Sequence, residues 1–526
     1  MCSRKHTGPN VTDQVSHSHA QKFPCGHPDS TDINTSSDDQ GCSGEYRGRV
    51  LRLLPPLTVV PLGHLTIDKL SDDVLLRIFD SHRREDEDEN GTWRWQVLVH
   101  ICKRWRRIIF AYPGRLDLQL VCRSKADVKT ALDIWPALPI SIQASFYGNC
   151  ADGDDVIGTL EDRDRIVGID FGGLTRSKLE KCVALMQQSF PVLSSLRLFA
   201  DKGNTYVIPD AFLGGSAPRL ERVSWARIRF PALPKLLSSA RDLVDLHLGF
   251  FSFEDISLEA MVTCLSVLTR LRSLNIDFKE KVSSPDPTSQ SPTSLTPTVL
   301  PALTNFSLGG PSEYLEKLLT QIATPLLEDG DLQFYDAPRF DTPGVSQFIH
   351  RTGMFKLPSE VDVYIRKSVL FALSSSIGPK KKYTMAFSGS DFNLYTEVKL
   401  MEQICTQYPP LLSHIERLCL SGVDVEYRYW PLSAPWLGFL RPFTAVQTLH
   451  LSGSLIMPRV SDTLGKLAEK RAAEVLPALH TLVLDLPREA VSEAARLVEP
   501  FIVARKYSEH PVVLKRSPDS ASSDAE

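Results

Sequence analysis

The sequence predicts an α/β protein in which a small helical module precedes a solenoid of alternating strands and helices. Three observations carry this. An apolar residue followed at +3 and +5 by two more recurs nine times between Ile166 and Leu484. Helix-like stretches such as 179–188 and 258–268 lie between copies, the alternation expected of a repeat array. Two amphipathic helical patterns, over 70–80 and 95–110, stand ahead of the first copy.

Nine copies of one spacing are not an accident. They fall at Ile166/Ile169/Phe171, Leu193/Leu196/Leu198, Leu220/Val223/Trp225, Leu243/Leu246/Leu248, Leu271/Leu274/Ile276 and Leu303/Phe306/Leu308, then at Ile415/Leu418/Leu420, Val446/Leu449/Leu451 and Leu479/Leu482/Leu484. Within each of these two groups, consecutive copies start 23 to 33 residues apart, around the upper end of the leucine-rich-repeat period. The Asn or Cys usual three places after the last strand leucine is missing: Pro311 follows Leu308 there and Ser454 follows Leu451. Irregular curvature is therefore expected. The spacing lapses over 326–406, where Val361 to Ile365 and Tyr383 to Phe387 still alternate as strands do, and degenerate repeats are expected.

Composition bounds the rest. Of 526 residues 42% are hydrophobic and 23% charged, enough apolar surface to offset chain entropy over most of the length. A net charge of −4 gives no global field toward nucleic acid or anionic lipid, so neither nucleic acid nor membrane is expected as a partner. The ten Cys include no C-x-x-C pair, which predicts a reducing compartment and no structural metal; no nucleotide-binding fingerprint occurs, and no cofactor is expected. Residues 1–28 lack an apolar signal core, and cytoplasmic or nuclear residence is expected. Residues 1–46 are too polar to build a core and are read as a disordered arm. The helical module occupies 65–113 and the repeat domain 114–505, with a Pro/Ser/Thr-rich flexible insertion at 282–297, and 506–526 is a polar tail.

Within the helical module, Leu70-Ser71-Asp72-Asp73-Val74-Leu75-Leu76-Arg77-Ile78-Phe79 opens with an N-cap serine and first-turn carboxylates. Trp95 to Phe110 (WQVLVHICKRWRRIIF) reads as one helix with Leu98, Ile101, Cys102, Trp105, Ile108 and Ile109 on a single face, and Tyr112-Pro113-Gly114 stops it. On that face Cys102 reads as a small packed hydrophobe. The basic run Lys103-Arg104-Trp105-Arg106-Arg107 reads as a wet face around a packed Trp rather than a nucleic-acid patch. Leu70, Val74, Leu75, Leu76, Ile78 and Phe79 exceed what one helix face can bury in a small module. Some must face outward, and Leu75 with Phe79 are expected in that surplus, as a partner surface.

These two segments resemble an F-box, and the chain as a whole is similar to fungal F-box proteins with irregular C-terminal leucine-rich repeats. The resemblance implies a three-helix module that binds the linker subunit of an SCF-type cullin-RING ubiquitin ligase, with Leu70, Leu75, Leu76, Ile78, Phe79, Leu98, Cys102 and Trp105 at that contact. It implies linker subunit and cullin as partners, and a role as non-catalytic substrate adaptor in ubiquitin conjugation. Ser71 stands where the family usually has Pro, and the acidic insert 83–91 is longer than its usual turn. A second expectation therefore stays open: an interaction scaffold acting outside ubiquitylation.

No phosphate loop, dinucleotide fingerprint, H-E-x-x-H or G-x-S-x-G occurs, so no enzyme activity and no catalytic residue are expected. Strand parity predicts the target surface: with Leu196 and Leu198 inward, Arg197 points the other way. By the same rule Arg197, His247, Asn275, Arg417 and His450 are expected on one exposed sheet face, holding an unidentified target protein.

Overall fold

The structure is a computed structural model that describes residues 67–85, 95–116, 118–123, 138–147, 154–203, 206–251, 256–278, 297–335, 343–352, 358–365, 368–374, 382–388, 394–407, 412–422, 434–453, 456–467, 474–485, 488–508 and 510–516. They belong to two units. The first, Met1–Leu70, contributes one 3-10 turn, Ile67–Lys69, without a buried residue. The second, Ser71–Glu526, carries every other element. The expected arm over 1–46 and the insertion over 282–297, save its last residue, lie outside the described residues.

The helical module is α1 (Asp72–Glu85), α2 (Trp95–Val99) and α3 (Lys103–Ala111). Ser71 caps α1 as its position predicts, with the Val74 amide donating to Ser71 Oγ at 3.4 Å. The single helix expected over 95–110 is instead two. The His100 and Ile101 amides close short turns onto the Val97 and Leu98 carbonyls, and the Arg106 guanidinium donates to the Val99 carbonyl at 3.0 Å, satisfying an acceptor freed by the break. Cys102 then starts α3: its backbone is extended and its Sγ accepts from the Trp105 amide at 3.4 Å. The apolar period runs straight through this break, so hydropathy alone does not reveal it.

Trp95 ties the module to the start of the sheet. Its ring is buried against Phe110, and its Nε1 donates to the Gln119 carbonyl at 3.0 Å, one residue before the first strand.

One open 16-stranded sheet organises the chain. Its first eight strands in spatial order are β1 (Leu120–Arg123), β2 (Ile140–Ser145), β3 (Ile166–Leu174), β4 (Ser195–Ala200), β5 (Arg222–Ala226), β6 (Asp245–Phe251), β7 (Ser273–Phe278) and β9 (Asn305–Gly310). A two-residue strand β8 (Thr298–Val299) pairs apart with β10 (Ile322–Ala323). The sheet continues through β11 (Asp329–Phe334) and ends on β15 (Arg417–Gly422), β16 (Thr448–Ser452), β17 (Thr481–Asp485) and β18 (Val513–Arg516). Helices alternate with the strands: α4 (Asp154–Gly158), α5 (Arg176–Leu185), α6 (Leu233–Ser239), α7 (Leu258–Val267), α8 (Ser312–Gln321), α9 (Pro343–Arg351), α10 (Leu394–Gln407), α11 (Ala434–Leu440), α12 (Ile456–Leu467) and α13 (Arg488–Tyr507). Among the described residues no helix is long and apolar enough to cross a membrane.

Every residue of the nine apolar motifs is buried. The motifs coincide with β3–β7, β9 and β15–β17, the last two residues of each lying in the strand and the first just before it or at its start. Thr175 and Ser257 cap α5 and α7 through amides three residues on, and α7 turns Met261, Cys264 and Leu265 into the core.

Over 326–406 the strands persist but change order. β12 (Glu360–Ile365), β13 (Ser368–Ser374) and β14 (Lys382–Ser388) form a meander in which β14 lies beside β11 and β12 beside β15. β13 is antiparallel to both neighbours, whereas every other described pairing is parallel. The expectation of degenerate repeats is thus replaced by an antiparallel excursion within the same sheet. At its edge the motif fails for a packing reason: Gly330 occupies the +3 place after Leu327 and is paired in register with Tyr383. A Cβ on Gly330 would stand 2.4 Å from the Tyr383 ring, so the aromatic ring takes the space that a strand leucine fills elsewhere. The polar tail expected over 506–526 also contributes structure, since β18 closes the end of the sheet against β17.

Candidate functional site

Two surfaces stand out. On the helical module, Leu75, Leu76, Phe79 and Leu98 are buried, with Leu75 at 0% and Phe79 at 1% exposure. This corrects the expectation that Leu75 and Phe79 form the exposed surplus: the core of the module needs both, and Phe79 meets the half-buried Trp105 edge-on at 4.8 Å between ring centroids. The surplus exists, carried by other residues. Val74 and Ile78 lie one turn apart on α1 at 41% and 42% exposure, and Val97 and Ile101 reach 60% and 55%. Of the residues expected at this contact, Ile78 and Cys102 are exposed, Trp105 is half-buried, and Leu70 is half-buried in the separate 67–70 turn. Cys102 is corrected from packed hydrophobe to exposed helix cap. The basic run lies outward as expected, with Arg104 paired to Asp72 at 2.7 Å.

The second surface is the sheet face opposite the buried leucines. Strand parity holds: Arg197 and Arg417 are exposed, and His247, Asn275 and His450 are half-buried. The register aligns one residue per strand into a continuous polar row, Asp170, Arg197, Ser224, His247, Asn275, Ser307, Asp331 and Thr384. Arg197, His247 and Asn275 are thereby brought together. His450 belongs to the same row but lies eight strands beyond His247, about 38 Å at about 4.8 Å per strand. Arg417 sits one row over, beside Glu360 and Thr448. The five residues therefore share a face and form two separate groups.

The electrostatics of the first group follow from partial burial. Arg197 pairs with Asp170 at 3.4 Å and lies 5.3 Å from the Phe199 ring centroid. Burial pushes the Asp170 carboxyl above the usual carboxylate value despite the pull of Arg197. Burial holds the His247 imidazole below its ordinary value, reinforced by Arg197 and opposed by Asp277. An NMR titration of His247 is expected to give a pKa below 6.5. Since the unfolded chain then binds more protons, this residue's contribution to stability falls as pH drops below the unfolded value. A midpoint at or above 6.5 would contradict the packing described.

In the second group Arg417 pairs with Glu360 at 3.2 Å, and His450 Nε2 is 3.8 Å from Asp485. Between β7 and β14 the face is hollowed into an open depression of about 410 Å³ lined by Ser273, Asn275, Asn305, Ser307, Asp329, Asp331 and Thr384. Asp331 accepts hydrogen bonds from Ser307 and Thr384. Asp331 and its neighbours are hard to find in the sequence because Gly330 breaks the leucine spacing there; the outward parity of Ser307 beside Phe306 and Leu308 is the available signal.

Among the described residues no group of three or more His, Cys, Asp or Glu could hold a metal ion. Burial pushes the thiols of Cys122, Cys264, Cys405 and Cys419 up, Cys419 to about 12 with help from Asp362, so these four stay protonated at neutral pH. No protein-family model matches the chain, and no curated protein matches it.

Proposed function

We propose that the chain is the target-recognition subunit of an SCF-type cullin-RING ubiquitin ligase, with α1–α3 as an F-box docking the linker subunit and the strand-helix units as a leucine-rich-repeat surface holding the target protein. The observation that carries the reading is the exposed apolar pair Val74 and Ile78 on a module that already buries Leu75, Leu76 and Phe79 in its own core. Exposed aliphatic residues one turn apart on a helix are the anchors an apolar partner groove takes up, and burying the remaining exposed part of each contributes on the order of 1 kcal/mol. In this reading the chain supplies no catalytic group. It raises the effective concentration of the target beside a charged ubiquitin-conjugating enzyme.

Copurification of linker subunit and cullin with the full chain tests the reading. Val74→Asp with Ile78→Asp is expected to cut linker recovery at least tenfold, since two buried carboxylates cost well over about 1.4 kcal/mol, while the melting temperature stays close to wild type because both side chains are solvated in the free chain. Normal recovery of the linker by this variant would sink the reading. For the target side, Arg197→Ala with His247→Ala is expected to reduce target capture and leave linker recovery unchanged. Proximity labelling in cells checks this, and an unchanged set of labelled proteins would place the target elsewhere.

A further inference from the structure

The 16-stranded sheet is open, and its last strand, β18, is paired on one side, with β17. The Val513 amide donates to the His480 carbonyl at 2.8 Å, so Val513 and, by alternation, Lys515 turn their backbone groups toward β17. The N–H and C=O of Leu514 and the N–H of Arg516 then point to the other edge, where no strand lies among the described residues. Such a row of free donors and acceptors is a template for a further strand.

The side chains of this edge say what charge that strand carries. Lys515 and Arg516 are exposed, as is Lys506 in the last turn of α13. Among the described residues neither strand cation is held in an ion pair; Asp485, two residues past the ladder partner of Lys515, is turned to His450 at 3.8 Å. Val513, a branched apolar residue, is left 56% exposed for want of a second cross-strand neighbour. A second copy of the chain is a poor occupant, because pairing β18 with β18 gathers Lys515 and Arg516 of both copies into one short ladder. The same two cations favour a strand that carries carboxylates.

We propose that β18 accepts an extended acidic segment of a partner protein as a further strand, hydrogen-bonded to the outward backbone groups of Leu514 and Arg516 and with carboxylates beside Lys515 and Arg516. In strand addition of this kind main-chain bonds supply affinity and the flanking side chains supply the choice of partner. The cations are consecutive in the strand, so they project from opposite faces of the sheet. The segment must therefore present a carboxylate on each face, which two adjacent acidic residues in an extended chain do. The inference goes beyond the ligase reading and does not rest on it.

The test adds a short peptide of Val and Thr with a central Glu-Glu pair to the purified full chain. Affinity is read by fluorescence polarisation and backbone pairing by hydrogen exchange resolved to single amides. The peptide is expected to bind about fivefold more tightly than its Lys-Lys counterpart, the scale that exposed ion pairs allow. It is also expected to slow exchange at Leu514 and Arg516, whose amides face the open edge, and to leave Val513, already bonded to His480, as it was. Lys515→Glu with Arg516→Glu should invert the preference between the two peptides, with unchanged circular dichroism to exclude misfolding. No binding, equal affinities, or binding without new protection at Leu514 and Arg516 overturns the inference. Protection that appears without peptide and grows with protein concentration assigns the edge to a second copy and overturns it as well. None of these readouts involves the linker subunit, so failure here leaves the ligase reading standing, and absent linker recovery leaves this edge site standing.

Discussion

Leu246→Asp is expected to unfold β5, β6 and β7 together, at a cost of about 4 kcal/mol or more. Leu246 is 1% exposed and stands in register between Val223 and Leu274, both buried. The substitution removes an apolar side chain from the core and puts a carboxylate in its apolar surroundings. In a sheet built of successive units, each strand's stability comes from its two neighbours, so the damage spreads to adjacent units first. Hydrogen exchange is the measurement: amides of 222–226 and 273–278 should lose protection with those of 245–251, before any change at 448–452. Asp245→Ala, one residue away on the opposite parity, should change stability by no more than about 0.5 kcal/mol. Equal damage from the two would show that the strand faces are assigned the wrong way round.

A second large effect is expected at the other end. Arg505 on α13 is fully buried, and its Nη2 donates to the carbonyls of Leu476, Pro477 and Leu479 at 3.2, 2.9 and 3.0 Å. Those carbonyls belong to the turn entering β17, where Leu476 is held at a φ of 50°. Burial lowers the Arg505 pKa, and the three acceptors compensate for taking the charge out of water. Arg505→Met keeps the stem's packing but leaves the carbonyls without this donor. The expected loss is about 3 kcal/mol, confined to β16–β18 and α13. Denaturant unfolding monitored by exchange would reveal early opening of β16, β17, β18 and α13 with β4 to β7 still protected. A uniform loss along the chain would contradict this local role.

The exposed pair on α1 shows where sequence reasoning is right in kind and wrong in detail. Counting apolar residues over 70–79 correctly requires that some face outward. Which ones do so depends on the crossing of α1 with α3, and that crossing puts Phe79 against Trp105 and leaves Val74 and Ile78 outside. The break at His100 to Cys102 is of the same kind. It is stabilised by a guanidinium from the next helix, a contact no hydropathy period encodes. On the sheet, by contrast, alternation suffices to put Arg197, His247, Asn275, Arg417 and His450 on one face, because a period of two leaves no freedom once the leucines face inward.

The sequence by itself therefore determined the α/β character, the strand positions of the nine motifs and the two faces of each of those strands, since apolar spacing acts locally and each motif reports its own burial. Tertiary structure alone decided which residues are neighbours across the sheet. The reversed order of β12 to β14 places Thr384 beside Asp331, 53 residues apart in the chain, and separates Arg417 and His450 from the Arg197 group. Register between strands is set by how whole units pack against one another. No single segment carries that information, so the polar row and the depression in it appear only when the strands are assembled.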